Sequence, residues 1–145
     1  MIGREAIARL IPHQGAMCLL DAVVACDAIR ITCHSRRHLD MDNPLRTRDR
    51  LSSIHGIEFA AQAMAAHQQL TSGKRAAPVR YGLLISVRQC TFATDRLDRC
   101  SSPLTIDATR VAATDEALTY RFSIGAAEMT LVSGRASVLL VLDAS

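Results

Sequence analysis

The stretch GIEFAAQAMAAH, residues 56–67, constrains this chain more than any other. Its alanines, Ala60, Ala61, Ala63, Ala65 and Ala66, are strong helix formers and leave almost no polar face in the middle. The pattern predicts a helix from about Ser52 to Leu70 that is covered on most sides, with Ser52 or Ser53 as its cap and Gly73 at its end. The polar residues within it are not scattered. His55, Glu58 and Gln62 fall at i, i+3 and i+7, a narrow stripe flanked by Ile54, Ile57, Phe59 and Met64. A carboxylate in such company costs desolvation unless it faces water, a partner or a ligand. Spacing alone leaves both a solvent-facing seam and a ligand-facing one open.

What surrounds that helix reads mostly as strands. REAIARL is a short amphipathic helix stopped by Pro12, and QGAMCLLDAVVACDAIRITCHS holds two apolar stretches that turn at Asp27. From Arg36 to Arg50 the chain is polar and contains Pro44, which makes it a loop. Beyond Pro78 come four more strands, RYGLLISVRQCTF, PLTIDATRVAA, ALTYRFSIGAA and EMTLVSGRASVLLVL, with turns at Asp95 to Pro103, at Asp115 and around Gly125. There is no internal repeat or low-complexity linker, and 145 residues suffice for one core, so residues 1–145 are expected to form one domain. A curved antiparallel sheet wrapped around one central helix, an α+β architecture, satisfies both halves of the pattern.

Composition narrows the function classes. The chain is 49% apolar and 21% charged, as globular proteins are, while aromatics are 3% and Trp is absent. So few rings argue against a surface that stacks bases, hence against a generic nucleic-acid binder. The formal charge is +3 and the pI about 8.8. Lys74 is the only lysine; Arg36, Arg37, Arg46, Arg48 and Arg50 cluster, either as a solvated loop or as a docking patch for an acidic partner. Five cysteines without a CxxC pair suggest reduced thiols. The first residues lack a signal-peptide core and no apolar run approaches ~18 residues. A soluble, cytoplasmic protein away from the membrane is expected.

The residues also carry a resemblance. IEFAAQAMA, preceded at a distance by IPHQGAMCLLD, resembles the central-helix signature and first-strand entry of the beta-hydroxyacyl-acyl-carrier-protein dehydratases of the hotdog fold. YGLLISVRQCTF and EMTLVSGRASVLL resemble the strand after the helix and the last strand, so the likeness covers nearly the whole chain. Asn43 to Arg46, NPLR, followed by GIEFAAQAMA is closer to a divergent branch found in aryl polyene and related polyketide-type pathways. The resemblance implies a dimeric hotdog domain. It puts the family's catalytic glutamate on Glu58 and its following glutamine on Gln62, and it requires neither metal nor organic cofactor.

It also implies a chemistry for the stripe. Dehydration of a 3-hydroxyacyl thioester removes a proton from the carbon beside the carbonyl and expels the hydroxyl from the next, so one group accepts a proton and another donates one. In the family a histidine is the base and the helix glutamate the acid. Backbone N–H groups near the helix start, around Gly56, are available to polarise the thioester carbonyl, with His55 and Gln62 as further substrate-binding residues. The family's GHFP motif, with its histidine fourteen positions before the glutamate, is missing: counting back from Glu58 reaches Pro44. His38 replaces that histidine if the loop carries about six extra residues, and His55 is the other local candidate, equally suited to capping. His13, His34 and His67 have no carboxylate constellation and are expected to be structural or exposed.

Two readings of one fold follow. The chain is a dehydratase in its own right, or it is one half of a heteromeric dehydratase whose second hotdog subunit supplies the histidine. The implied substrate partner is an acyl carrier protein, docked on Arg46 and Arg48. Other classes stay open: an acyl thioesterase in which Glu58 activates water, or a non-catalytic acyl-binding or scaffold subunit indifferent to that residue.

Overall fold

A computed structural model describes residues 1–11, 15–72 and 79–142. Strand β1 (Ile2–Gly3) leads into helix α1 (Arg4–Leu10), then β2 (Ala22–Cys26) and β3 (Arg30–Ser35). Helix α2 (Gly56–Thr71) follows, and β4 (Val79–Phe92), β5 (Leu104–Ala113), β6 (Ala117–Ala126) and β7 (Met129–Leu142) complete the chain. Every pairing is antiparallel and the strands lie in the order β1-β2-β3-β5-β6-β7-β4. The six strands expected from the sequence are present within a few residues; two-residue β1 is an addition, too short to leave a periodic trace.

Local chemistry sets the turns. Asp27 Oδ1 accepts from the N–H groups of Ile29 and Arg30, both at 2.8 Å, and so closes the β2–β3 hairpin. Ala127 and Glu128 both have positive φ in the two-residue turn that joins β6 to β7. Along β5 and β6 alternate residues are buried: Leu104, Ile106 and Ala108, then Leu118, Tyr120, Phe122 and Ile124. That face and helix α2 enclose the core.

The helix entry is a short 3₁₀ turn, Ser53–His55, that runs into α2. Ser52 is its cap, with Oγ accepting from the Ile54 N–H at 3.4 Å. Gly73, expected at the far end, lies outside the described residues, as do Pro12 and His13. Phe59, Ala60, Ala63, Met64 and Ala66 are buried against the sheet. Gly56 allows the start of the helix to lie close on it, since a Cβ there would stand 3.2 Å from Val132 Cγ2 and 3.5 Å from Ile124 Cδ1.

Candidate active site

Glu58 stands on the half-buried side of α2 together with Ala61 and Ala65. That side faces a pocket of about 490 Å³ walled by Leu84 of β4, Leu118 and Tyr120 of β6, Val138 and Leu140 of β7 and the end of α1. Among the described residues Glu58 is the one carboxylate lining it and Arg9 the one cation. The helix contributes Glu58, Ala61, Met64, Ala65, Gln68 and Gln69. With a rise of about 1.5 Å per residue, this makes a groove of some 16 Å with the carboxylate at one end. Its middle is apolar. A proton-donating or proton-accepting group at the end of a groove fit for an extended apolar chain is what the site offers chemically. A shallower hollow of about 460 Å³ lies by Ser52, Ile54, Phe92 and Asp95; among the described residues Asp95 is the one ionisable group there.

The expected stripe of three splits in two. Gln62 is fully buried: its Oε1 accepts from Leu19 N–H at 2.8 Å and its Nε2 donates to the Met17 carbonyl at 2.6 Å. Four residues beyond Glu58, it stands roughly 40° further round the helix, enough to turn it from the groove towards the segment before β2. His55 is half-buried at the helix entry, and its side chain caps nothing. The Gly56 N–H donates to the carbonyls of Ser53 and Ile54, and Ser53 N–H to that of Asp95 at 3.0 Å. Because the 3₁₀ turn precedes the α-helix, the donors expected to be free at the helix start are largely spent on the chain itself.

His38 is fully buried rather than solvated. It sits in a 3₁₀ turn, Arg37–Leu39, with its Nε2–H donating to the Cys100 carbonyl at 2.9 Å. Burial holds its pKa below the ordinary value of 6.5, only partly offset by the Cys100 and Ser102 carbonyls. The neutral ring therefore keeps a lone pair on Nδ1, which has no partner among the described residues. The turn is held by Asp21, whose carboxylate accepts from Arg36 N–H at 2.7 Å and pairs with Arg37 at 3.0 Å. Within one chain His38 does not line the Glu58 pocket.

The arginine loop separates into structural and surface members. Arg46 is only 8% exposed: it donates to the carbonyls of Asp40 at 2.6 Å, Asp49 at 2.9 Å and His38 at 3.1 Å. It is a clamp for the loop, and its place does not suit the carrier-docking role expected of it. Arg48 is exposed at the tip of a two-residue hairpin in which Thr47 and Arg50 exchange N–H···O bonds of 2.9 and 3.0 Å. Arg48 and Asp49 both have positive φ there, which costs strain in residues other than glycine.

A second polar cluster, invisible from the sequence, meets the groove at Tyr120. His67 is fully buried, its Nδ1 accepting from the Tyr120 hydroxyl at 2.6 Å and its Nε2–H donating to the Asp27 carbonyl at 2.9 Å. Arg110 donates to Thr71 at 3.0 Å and to the Tyr120 oxygen at 3.3 Å. Burial lowers the pKa of His67 and raises that of Tyr120. Of the structural and exposed roles expected for His67 the structure shows the buried one, and its partners are a phenol from β6 and a carbonyl from the β2–β3 turn. Among the described residues no three His, Cys, Asp or Glu side chains are gathered as a metal would need.

Residues 5–144 match the model of a family described as ApeP-like, ApeP dehydratase. No curated protein matches the chain. Among solved structures, the dehydratase heterocomplex ApeI:P from Xenorhabdus doucetiae is similar with a TM-score of 0.81 and 21% identity, covering 93% of this chain and 90% of that one. AziG from S. sahachiroi follows with a TM-score of 0.67 and 14% identity over 93% of this chain and all of that one. A hypothetical thioesterase from Streptococcus pneumoniae, solved with coenzyme A, reaches 0.59 at 10% identity, covering 86% and 88%. The fold they share is the hotdog fold.

Proposed function

The chain belongs to the ApeP-like dehydratase family, and on that premise we propose that it converts a 3-hydroxyacyl thioester on an acyl carrier protein to the trans-2-enoyl thioester. The observation that carries the reading is Glu58, among the described residues the single carboxylate of a groove with an apolar middle. A base takes the proton from the carbon beside the carbonyl, the electron pair forms the new double bond, and the C–O bond of the next carbon breaks. Glu58 gives its proton to the departing oxygen, which leaves as water. His55, at the helix entry beside it, meets the thioester end of the substrate. Gly56 and Gln62 serve by holding the helix to the sheet and to the segment before β2.

A second hotdog subunit completes the site in this reading. Strand β4 ends the sheet on one side and exposes Leu83, Ile85 and Phe92 along its length. Long apolar edges of this kind are rarely left open to solvent, and pairing with a second subunit covers them. The base is a histidine across that junction: His38 of a second copy in a homodimer, or the histidine of a different hotdog chain in a heterodimer. The His38 Nδ1 lone pair is unpaired but sealed within its own fold, so the first needs that pocket to open; the missing GHFP motif supports the second. Arg48, with Arg36 and Arg50 also exposed, serves the acidic carrier. Cysteines that are all free among the described residues suit the reducing cytoplasm. No described helix is long and apolar enough to cross a membrane.

The test is an assay on a 3-hydroxyacyl carrier thioester, with this chain alone and with a histidine-bearing hotdog subunit added. Enoyl product with the thioester intact is expected, and Glu58→Gln is expected to lower its formation by about 10²–10⁴ with the melting temperature unchanged. Release of free thiol would identify a thioesterase instead. Acyl binding without turnover, indifferent to Glu58→Gln, would identify a scaffold.

A further inference from the structure

Gln68 is 6% exposed, lies in the wall of the groove, and its side-chain amide has no hydrogen-bond partner among the described residues. A buried amide ordinarily finds partners, because leaving its N–H and C=O groups unpaired costs about 1–3 kcal/mol each. The Tyr120 hydroxyl is given to His67, and Arg110 is committed to Thr71 and Tyr120. The Gln68 amide is not among the polar atoms sealed away from all space, so its free groups open onto the groove. Gln68 lies ten residues beyond Glu58, about 15 Å along the helix.

We propose that the distal end of this groove binds a neutral hydrogen-bonding group at the far end of the acyl chain, a hydroxyl or carbonyl, through the Gln68 amide. This rests on the reading of the groove as an acyl site. A plain alkyl end would desolvate the amide and return nothing, whereas a hydroxyl both donates to its oxygen and accepts from its nitrogen. The amide offers no net charge to pair with a charged end, and Arg110 is already turned onto Thr71 and Tyr120. The groove thereby selects on what the chain ends in as well as on its length, with the amide as a polar stop beyond an apolar middle.

Binding to the intact protein tests this without depending on turnover. Calorimetric titration compares dodecanoyl-pantetheine with ω-hydroxydodecanoyl-pantetheine, on the wild type, Gln68→Leu and Glu58→Gln. The wild type is expected to bind the hydroxylated probe several-fold to about tenfold more tightly. Gln68→Leu is expected to erase or reverse that preference, and Glu58→Gln to keep it. Equal affinity of the wild type for both probes overturns the proposal even if the leucine variant does not fold, and so does a preference that survives in Gln68→Leu. Binding of neither probe overturns it together with the acyl reading. Normal dehydration of a short 3-hydroxybutyryl thioester alongside equal affinities would sink this inference alone.

Discussion

At the scale of single residues, burial sorts the histidines by what they can do. His38 and His67 are both fully enclosed, and both are held neutral by loss of solvation, partly opposed by the carbonyls they donate to. In the unfolded chain each would take up a proton near its ordinary pKa of 6.5, whereas in the folded chain neither does until the pH is lower. Between those two values the unfolded state binds more protons, so folding weakens as the pH falls through 6.5. Thermal melts from neutral pH down to about pH 5 should show a steady fall in melting temperature; a level profile would contradict the two buried neutral rings. His38 also allows its two roles to be separated. His38→Ala leaves the Cys100 carbonyl unpaired and should cost about 1–3 kcal/mol in urea unfolding. His38→Gln can still donate to that carbonyl but brings no imidazole lone pair. It should recover much of the stability, and activity should not return with it if this ring is the base.

At the scale of elements, the contacts that fix α2 against its surroundings matter more than the intrinsic preference of its alanines. Gln62 ties the helix to Met17 and Leu19, on the segment leading into β2, through both ends of its amide. Gln62→Leu keeps the volume and removes both bonds, leaving a buried N–H and a carbonyl unpaired. The expected loss is about 2–4 kcal/mol in denaturant unfolding, and a loss under 1 kcal/mol, roughly that of an exposed substitution, would mean water replaces the amide. Strands β6 and β7 depend on a glycine in a similar way. Gly134 lies opposite Phe122, where a Cβ would come within 2.8 Å of Cys90 Sγ and 3.0 Å of Phe122 Cζ. The ring crosses the space that a side chain would fill. Gly134→Ala should therefore destabilise the protein by about 1–3 kcal/mol, read as a lower midpoint in the same unfolding experiment.

For the whole molecule, the proposed function divides the surface that meets partners between an apolar edge and a basic tip. Arg46 holds its loop by three carbonyls, so a charge reversal there would unfold the loop and report nothing about docking. Arg48 and Arg50 are exposed and carry no such burden in their side chains. Arg48→Glu with Arg50→Glu is expected to raise KM for the carrier-bound substrate and flatten its salt dependence, while leaving KM for a pantetheine thioester unchanged. Equal effects on both substrates would place these arginines outside the carrier interface.

Much of this was legible in the chain itself. Alternation of apolar residues marked the strands from β2 onward, and an alanine-rich stretch without a polar face marked a helix that the sheet must cover, because periodicity is a local property that side chains carry wherever they fold. The same stretch singled out Glu58 as a carboxylate needing a reason. Partnership is a different matter, since it joins residues far apart in sequence. No spacing could show that Gln62 turns to Met17 and Leu19, that Arg46 closes on the carbonyls of its own loop, or that His38 meets Cys100. Nor could it tell the free amide of Gln68 from the satisfied one of Gln62, six residues apart on one helix. Residue type and period specify which face is apolar; which polar group on that face stays unpaired is decided only when distant backbone carbonyls and N–H groups are brought beside it.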